Sequence, residues 1–168
     1  MEGLYAATDK TGLKVKSMTL EPIAAMNVII PPEIRLINIA LVDIGAGTSD
    51  IAIARDGAIV AYAMATVAGD EISEDIVRKF FVDFNMAECM KIQASGDTDS
   101  ITYRDIFGRE QTISKADFFE KCSPSVDSLA DVISQAVCDA NGQSPAAMFL
   151  IGCLLYTSPS PRDSTSSR

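Results

Sequence analysis

The feature that most constrains this chain is a pair of strand-like runs hinged on a glycine turn. Ile37, Ile39, Leu41 and Val42 lead to Asp43; the turn Asp43-Ile44-Gly45-Ala46-Gly47-Thr48-Ser49-Asp50 follows, and Ile51 to Ala54 continue as a second strand. Asp56-Gly57 is a strong hairpin dipeptide, and Ala58 to Val67 supply a third strand, so the segment predicts a three-stranded antiparallel meander. The turn also has a chemical reading. Gly45 and Gly47 let the backbone approach a ligand where a Cβ would block it, and N–H groups converging in such a turn bind phosphate. Asp43, at the strand end, can hold Mg2+ through water, because magnesium keeps most of its hydration shell. Thr48 and Ser49 add hydroxyl donors. On these residues alone, an ordinary Gly-rich hairpin whose aspartates cap the turn is an equal reading.

The rest of the chain reads as helices around that meander. Leu13, Val15, Met18 and Leu20 hint at a strand, and Glu21-Pro22 open a helical run to Ile30 that Pro31 and Pro32 stop. Gly69 and Asp70 open a helix with Ile72, Ile76, Phe80 and Phe84 recurring every four residues and Glu71, Glu74 and Asp75 in its first turns. A second helix is expected from Asn85. Ser100 to Ile106 and Gln111 to Ile113 read as a hairpin around Phe107-Gly108-Arg109. Ser114 with Asp117 starts a short helical stretch, and Pro124 starts a longer helix that Asn141-Gly142 end. Ala146 to Ile151 form a last buried strand. The pattern predicts an α/β fold with helices on a mixed sheet.

Composition narrows the function. With 48% hydrophobic and 22% charged residues over 168 positions, the chain is that of a globular protein, and no apolar run approaches the roughly 20 residues that cross a bilayer. The expected location is cytoplasmic. Cys153 to Asp163 reads as a translated transposase-type sequencing adapter, so residues 153–168 are set aside as a non-native tail. Without Arg162, Arg168 and Asp163 the formal net charge moves from -9 to -10. Such acidity without a basic run argues against nucleic-acid binding. Cys89, Cys122 and Cys138 form no close pair and histidine is absent, which argues against zinc, disulfide frameworks and His-dependent nucleophiles.

Three motifs, in order, carry a family resemblance. Leu41-Val42-Asp43-Ile44-Gly45-Ala46-Gly47-Thr48-Ser49-Asp50-Ile51-Ala52-Ile53 resembles the second phosphate motif of the actin-like ATPases. Leu20-Glu21-Pro22-Ile23-Ala24-Ala25 looks like their first connecting motif, and Ala87-Glu88-Cys89-Met90-Lys91 like their nucleoside-holding Ala-Glu-x-x-Lys helix. The compact turn and the Gly57-Ala58-Ile59 return resemble the cell-division protein FtsA and pilus-assembly group more than the seventy-kilodalton heat-shock chaperone. Ala68-Gly69, where the family commonly has two glycines, and Ala46, where many relatives have a third, are departures.

The resemblance implies a ribonuclease H-like, actin-type ATPase lobe, present as an incomplete fragment. Residues 1–36 would end the first lobe and carry the connecting helix, and 37–152 would form the truncated second lobe. The cofactors implied are ATP and Mg2+, with Asp43 and Asp50 ordering the metal through water and Glu21 aligning the attacking water. Gly45, Ala46, Gly47, Thr48, Ser49 and Gly69 would surround phosphate, and Glu88 and Lys91 the nucleoside. From the residues alone, Glu21 is equally a first-turn helix charge, and Glu88 part of a capping box with Asn85 or an ion pair with Lys91. The family's first phosphate loop would lie upstream, and its adenosine loop would follow Gly152. Expected partners are further copies in a polymer or a cell-division or pilus protein, with membrane contact only through missing segments at the inner face of the membrane. Two alternatives stand beside the ATPase: a non-hydrolysing ATP-dependent scaffold of the pilus type, and a chaperone ATPase.

Overall fold

A computed structural model describes residues 2–153, so the adapter-like tail beyond Cys153 lies outside the described residues. The central sheet has four strands in the order β3-β2-β1-β6. β1 (Ile39–Ile44), β2 (Ser49–Arg55) and β3 (Ala58–Ala65) form the antiparallel meander, and β6 (Ala147–Ile151) runs parallel to β1. The sheet is therefore mixed, as the pattern of strands and helices predicts.

Residues directly opposite one another on paired strands share a face, so the register sorts the core. Ala40, Val42, Ile44, Ile51 and Ile53 face α3 (Gly69–Phe80) and α5 (Lys115–Asn141), which bury Ile72, Ile76, Phe80, Leu129, Ile133 and Val137 against them. Ile39, Leu41, Ala52 and Ala54 face the other way and are covered by Met26 and Ile30, from α2 (Glu21–Ile29) and its C-cap. Burial on both faces explains why β1 and β2 read as near-continuous apolar runs. α4 (Phe84–Ser95) packs beside α3, and a separate hairpin, β4 (Ser100–Arg104) with β5 (Glu110–Ser114), lies over α4. Phe80 ties these layers together, meeting Tyr103 edge-on at 5.6 Å and Phe118 at 5.5 Å.

Four local expectations are corrected. The first residues form α1 (Glu2–Lys10), a helix with no buried residue, and the hinted strand at 13–20 is irregular, with Leu13, Met18 and Leu20 exposed and no strand paired with it among the described residues. The four-residue repeat from Ile72 to Phe84 crosses a break: α3 ends at Phe80, Phe81 takes the left-handed conformation (φ 54°), and Phe84 starts the next helix. That helix starts one residue before Asn85 because Asp83 is its cap, accepting the Met86 N–H at 2.8 Å. The two helices expected around Ser114 and Pro124 are one, with Ser114 capping the Asp117 N–H and Pro124 inside the helix. Burial of Cys122 and Leu129 on either side of the proline carries the helix through it.

Candidate functional site

The glycine turn sits at the C-terminal end of β1, where the strand end, the start of β2 and the start of α3 meet. Gly45 N–H donates to the Thr48 carbonyl at 3.0 Å, which closes the turn. The carbonyls of Gly45 and Ala46 accept from the first two N–H groups of α3, Gly69 at 3.1 Å and Asp70 at 2.8 Å. Carbonyls are thus drawn towards the helix, while the N–H groups of Ala46, Gly47 and Thr48 find no acceptor among the described residues. All three residues are exposed, so these donors are open to a ligand.

The two glycines serve different ends. A Cβ at Gly45 would lie 3.1 Å from the Thr48 carbonyl oxygen, tight against the turn's own backbone. At Gly47 the nearest atom would be Asp70 Oδ2 at 3.7 Å, ordinary contact, and its backbone is not in the left-handed region. Nothing inside the fold requires glycine at 47.

Asp43 and Asp50 stand directly opposite each other on β1 and β2, on the face that carries Leu41 and Ala52. Neither carboxylate receives a hydrogen bond among the described residues, so they do not cap the turn. Burial, and then the Asp50 charge, push the Asp43 carboxyl above its ordinary value of 3.8. Among the described residues no group of three or more His, Cys, Asp or Glu is placed to hold a metal; Asp43 and Asp50 are the facing pair, and Asp70 Oδ2 lies beside Gly47. Gly152, with φ 116°, closes the site from β6: a Cβ there would overlap the Ile44 carbonyl and come within 2.7 Å of Asp43 Oδ1.

The other expected residues divide between that cluster and its support. Ser49 pairs with Ile44, on the face opposite the aspartates, and its buried hydroxyl donates to the Val67 carbonyl at 2.7 Å. Lys91 is 7% exposed, and its Nζ donates to Glu88 Oε1 at 2.9 Å, Ser73 Oγ at 2.8 Å and the Gly69 carbonyl at 3.2 Å. Its charge is therefore spent in holding α4 against the first turn of α3, with Glu88 joined to Ser73. Burial raises the Glu88 carboxyl, but hydrogen bonds from Ser73 and Lys91 and the lysine charge more than reverse this, leaving it below its ordinary value. Glu88 makes no bond to Asn85, which removes the capping-box reading in favour of the ion pair with Lys91. α2 ends next to the short 3-10 turn Ile34–Leu36, which hydrogen-bonds the β2–β3 turn at the far end of the sheet. Glu21, the first residue of α2, is exposed and makes no hydrogen bond among the described residues.

Sequence reasoning missed Ser73 and the closeness of Gly152 to Asp43. Ser73 had a signal: it is a polar residue on the stripe of Gly69, Ile72, Ile76 and Phe80, which otherwise faces the core. Gly152 had none, because its contact is made across the sheet.

Comparison with known proteins decides the family. The profile described as "Cell division protein FtsA" matches residues 40–144, more than half of the chain. The chain belongs to the FtsA cell-division protein family. FtsA of Pseudomonas aeruginosa is 36% identical over 84 residues, 50% of this chain and 20% of that protein. FtsA of Escherichia coli is 23% identical over 144 residues, 81% of this chain and 34% of that protein. The chain thus spans between a fifth and about a third of these FtsA relatives. Solved structures show the actin-like fold beyond FtsA itself. MreB5 of Spiroplasma citri bound to ADP superimposes with a TM-score of 0.68 at 20% identity, covering 97% of this chain and 56% of that one. The PilM-PilN type IV pilus biogenesis complex gives 0.67 at 18% identity, covering 93% and 41%. FtsA, MreB5 and PilM bear out the resemblance to the actin-like group close to cell-division and pilus proteins. No described helix is long and apolar enough to cross a membrane.

Proposed function

We propose that this chain supplies one half of an ATP·Mg2+ site in an actin-like cell-division protein. The observation that carries the reading is the set of open N–H groups at Ala46, Gly47 and Thr48 beside two carboxylates that bond to nothing in the described chain. The donors suit phosphate oxygens. The raised Asp43 carboxyl suits a cation, whose charge would relieve the repulsion from Asp50. Gly69 supports the turn by donating to Gly45, and Ser49 fixes the start of β2 from beneath. Asp43 and Asp50 would hold Mg2+ through its water shell, where the ion supplies charge neutralisation at the phosphates. Glu88, oriented by Lys91 and Ser73, would accept from a ribose hydroxyl, and Glu21 would orient water at the terminal phosphate. Residues 1–36 then belong to the end of a first lobe and 37–152 to a second. Two of the solved relatives, MreB5 bound to ADP and to AMPPNP, support the nucleotide class.

Gly47→Ala tests the reading. The fold has room for the methyl group, so stability stays level or rises by about 0.4–1 kcal/mol through the unfolded state. ATP with Mg2+, followed by protection of amides 45–48 from hydrogen exchange, should bind at least about tenfold more weakly to the variant, because the methyl group occupies the approach to the open N–H groups. Equal protection in both proteins would remove the phosphate reading.

A further inference from the structure

The turn that would receive phosphate is surrounded by carboxylates. Asp43 and Asp50 face each other across the strands, Asp70 Oδ2 lies beside Gly47, and among the described residues no lysine or arginine side chain hydrogen-bonds a residue of 43–50. An anion held there needs positive charge from another direction. Lys91 supplies it from inside the fold.

The path follows from which groups share a peptide unit. Lys91 Nζ donates to the Gly69 carbonyl at 3.2 Å, and that carbonyl belongs to the same peptide unit as the Asp70 N–H. Asp70 N–H donates to the Ala46 carbonyl at 2.8 Å, and that carbonyl shares its unit with the Gly47 N–H, one of the open donors of the turn. A peptide whose carbonyl accepts a hydrogen bond becomes a stronger donor at its N–H, and a charged donor in a buried, low-dielectric setting starts such a chain most effectively. The neighbouring donor is connected differently. Ala46 N–H shares its unit with the Gly45 carbonyl, which accepts from Gly69 N–H at 3.1 Å, and that N–H belongs to the Ala68–Gly69 unit, to which Lys91 donates no bond. Glu88 works against the path, because Lys91 gives another of its protons to Glu88 Oε1 at 2.9 Å.

We infer that Lys91 is a positioning residue for the phosphate turn: its buried charge, carried through the Gly69–Asp70 and Ala46–Gly47 peptide units, strengthens the Gly47 N–H as a donor to phosphate. The inference rests on the phosphate reading of the turn, and it gives Lys91 a task there rather than at the nucleoside beside Glu88. A lysine that merely packs α4 on α3 would support both turn donors alike. The relay favours Gly47 over Ala46.

The probe is inorganic tripolyphosphate with Mg2+, titrated into the 168-residue chain. Lys91→Met keeps an unbranched side chain and removes the charge. It should weaken tripolyphosphate binding at least about threefold and move the amide proton resonances of Asp70 and Gly47 upfield in the free protein, with that of Ala46 in place. Glu88→Gln leaves the lysine charge uncompensated, so it should act in the opposite sense, tightening tripolyphosphate about threefold and moving Asp70 and Gly47 downfield. Simple loss of packing would make both variants bind more weakly. Unchanged amide exchange in β1 verifies the fold of each, and the sign of the Glu88→Gln effect alone decides if Lys91→Met does not fold. Equal affinity in all three proteins, weaker binding by Glu88→Gln, or an Ala46 shift as large as that of Gly47 would overturn the relay while the phosphate reading stands. Tripolyphosphate that protects no amide of 45–48 in the unmutated chain would end the phosphate reading, and the relay with it.

Discussion

Asp43 and Asp50 face each other across β1 and β2 with no donor from the described chain between them, an arrangement that like charges directly opposite make unfavourable. Because burial and the Asp50 charge raise the Asp43 carboxyl, the folded state holds that proton more strongly than the unfolded one. The cost is therefore absent below the ordinary value of 3.8 and develops as pH rises through the raised pKa. Asp43→Asn should stabilise the chain at pH 7 by about 0.2–1 kcal/mol, the scale of a cross-strand pair, and the gain should fade as pH drops towards 3.8. Denaturant melts of both proteins across that range check it; a variant less stable at neutral pH would show that the pair is not repulsive. Glu88 and Asp75 behave oppositely. Burial raises both, yet Ser73 and Lys91 at Glu88, and Lys79, Ser125 and Arg78 at Asp75, leave them lowered, so their stabilisation is present above the ordinary carboxylate range and is lost as pH falls through the lowered values. Acid thus relaxes the turn while loosening the contacts that hold α3 to its neighbours.

The elements were legible where a local signal and the tertiary demand agreed. Period-two burial on β3, the Asp56-Gly57 hairpin and the Gly142 helix end all follow from neighbouring residues, and Gly142 indeed takes φ 72°. The glycine turn was legible for the same reason, since its closure uses only its own residues. Ser73, Gly152 and the inward turn of Lys91 were not, because each also depends on a partner 15 or more residues away. Pro124 shows the conflict most clearly. Read locally, it starts a helix; in the fold it lies inside the 27-residue α5, where it removes one backbone hydrogen bond. Its side chain is exposed, so Pro124→Ala should restore that bond without opening a cavity and raise stability by about 1–3 kcal/mol. In a thermal melt this is a Tm increase of roughly 2–4 °C per kcal/mol. An unchanged or lower Tm would mean that α5 divides at the proline in solution, as the local reading has it.

Across the molecule, hydrogen bonds run from Lys91 on α4, through the Gly69 carbonyl at the head of α3, to the Gly45 and Ala46 carbonyls of the turn. This holds the turn's own shape firmly, but firmness there is not the same as a catalytic site. Hydrolysis needs the phosphates gripped from more than one side, with water excluded and the nucleophile aligned. In this chain Ala46, Gly47, Thr48 and Glu21 are all exposed. The chain also spans 20% to 34% of the FtsA proteins quoted above, so it presents one turn where two lobes would converge on the proposed ligand. ATP with Mg2+ should therefore protect amides 45–48 from exchange in the 168-residue chain while phosphate release stays at the background rate. In a full-length relative carrying the equivalent residue, Glu21→Ala should lower turnover far more than nucleotide affinity, because a water-orienting group acts in the transition state rather than in the bound complex. Brisk phosphate release by the isolated chain that vanishes on Asp43→Ala would show instead that one turn and one carboxylate pair are enough, and the two-sided account of the site would have to be given up.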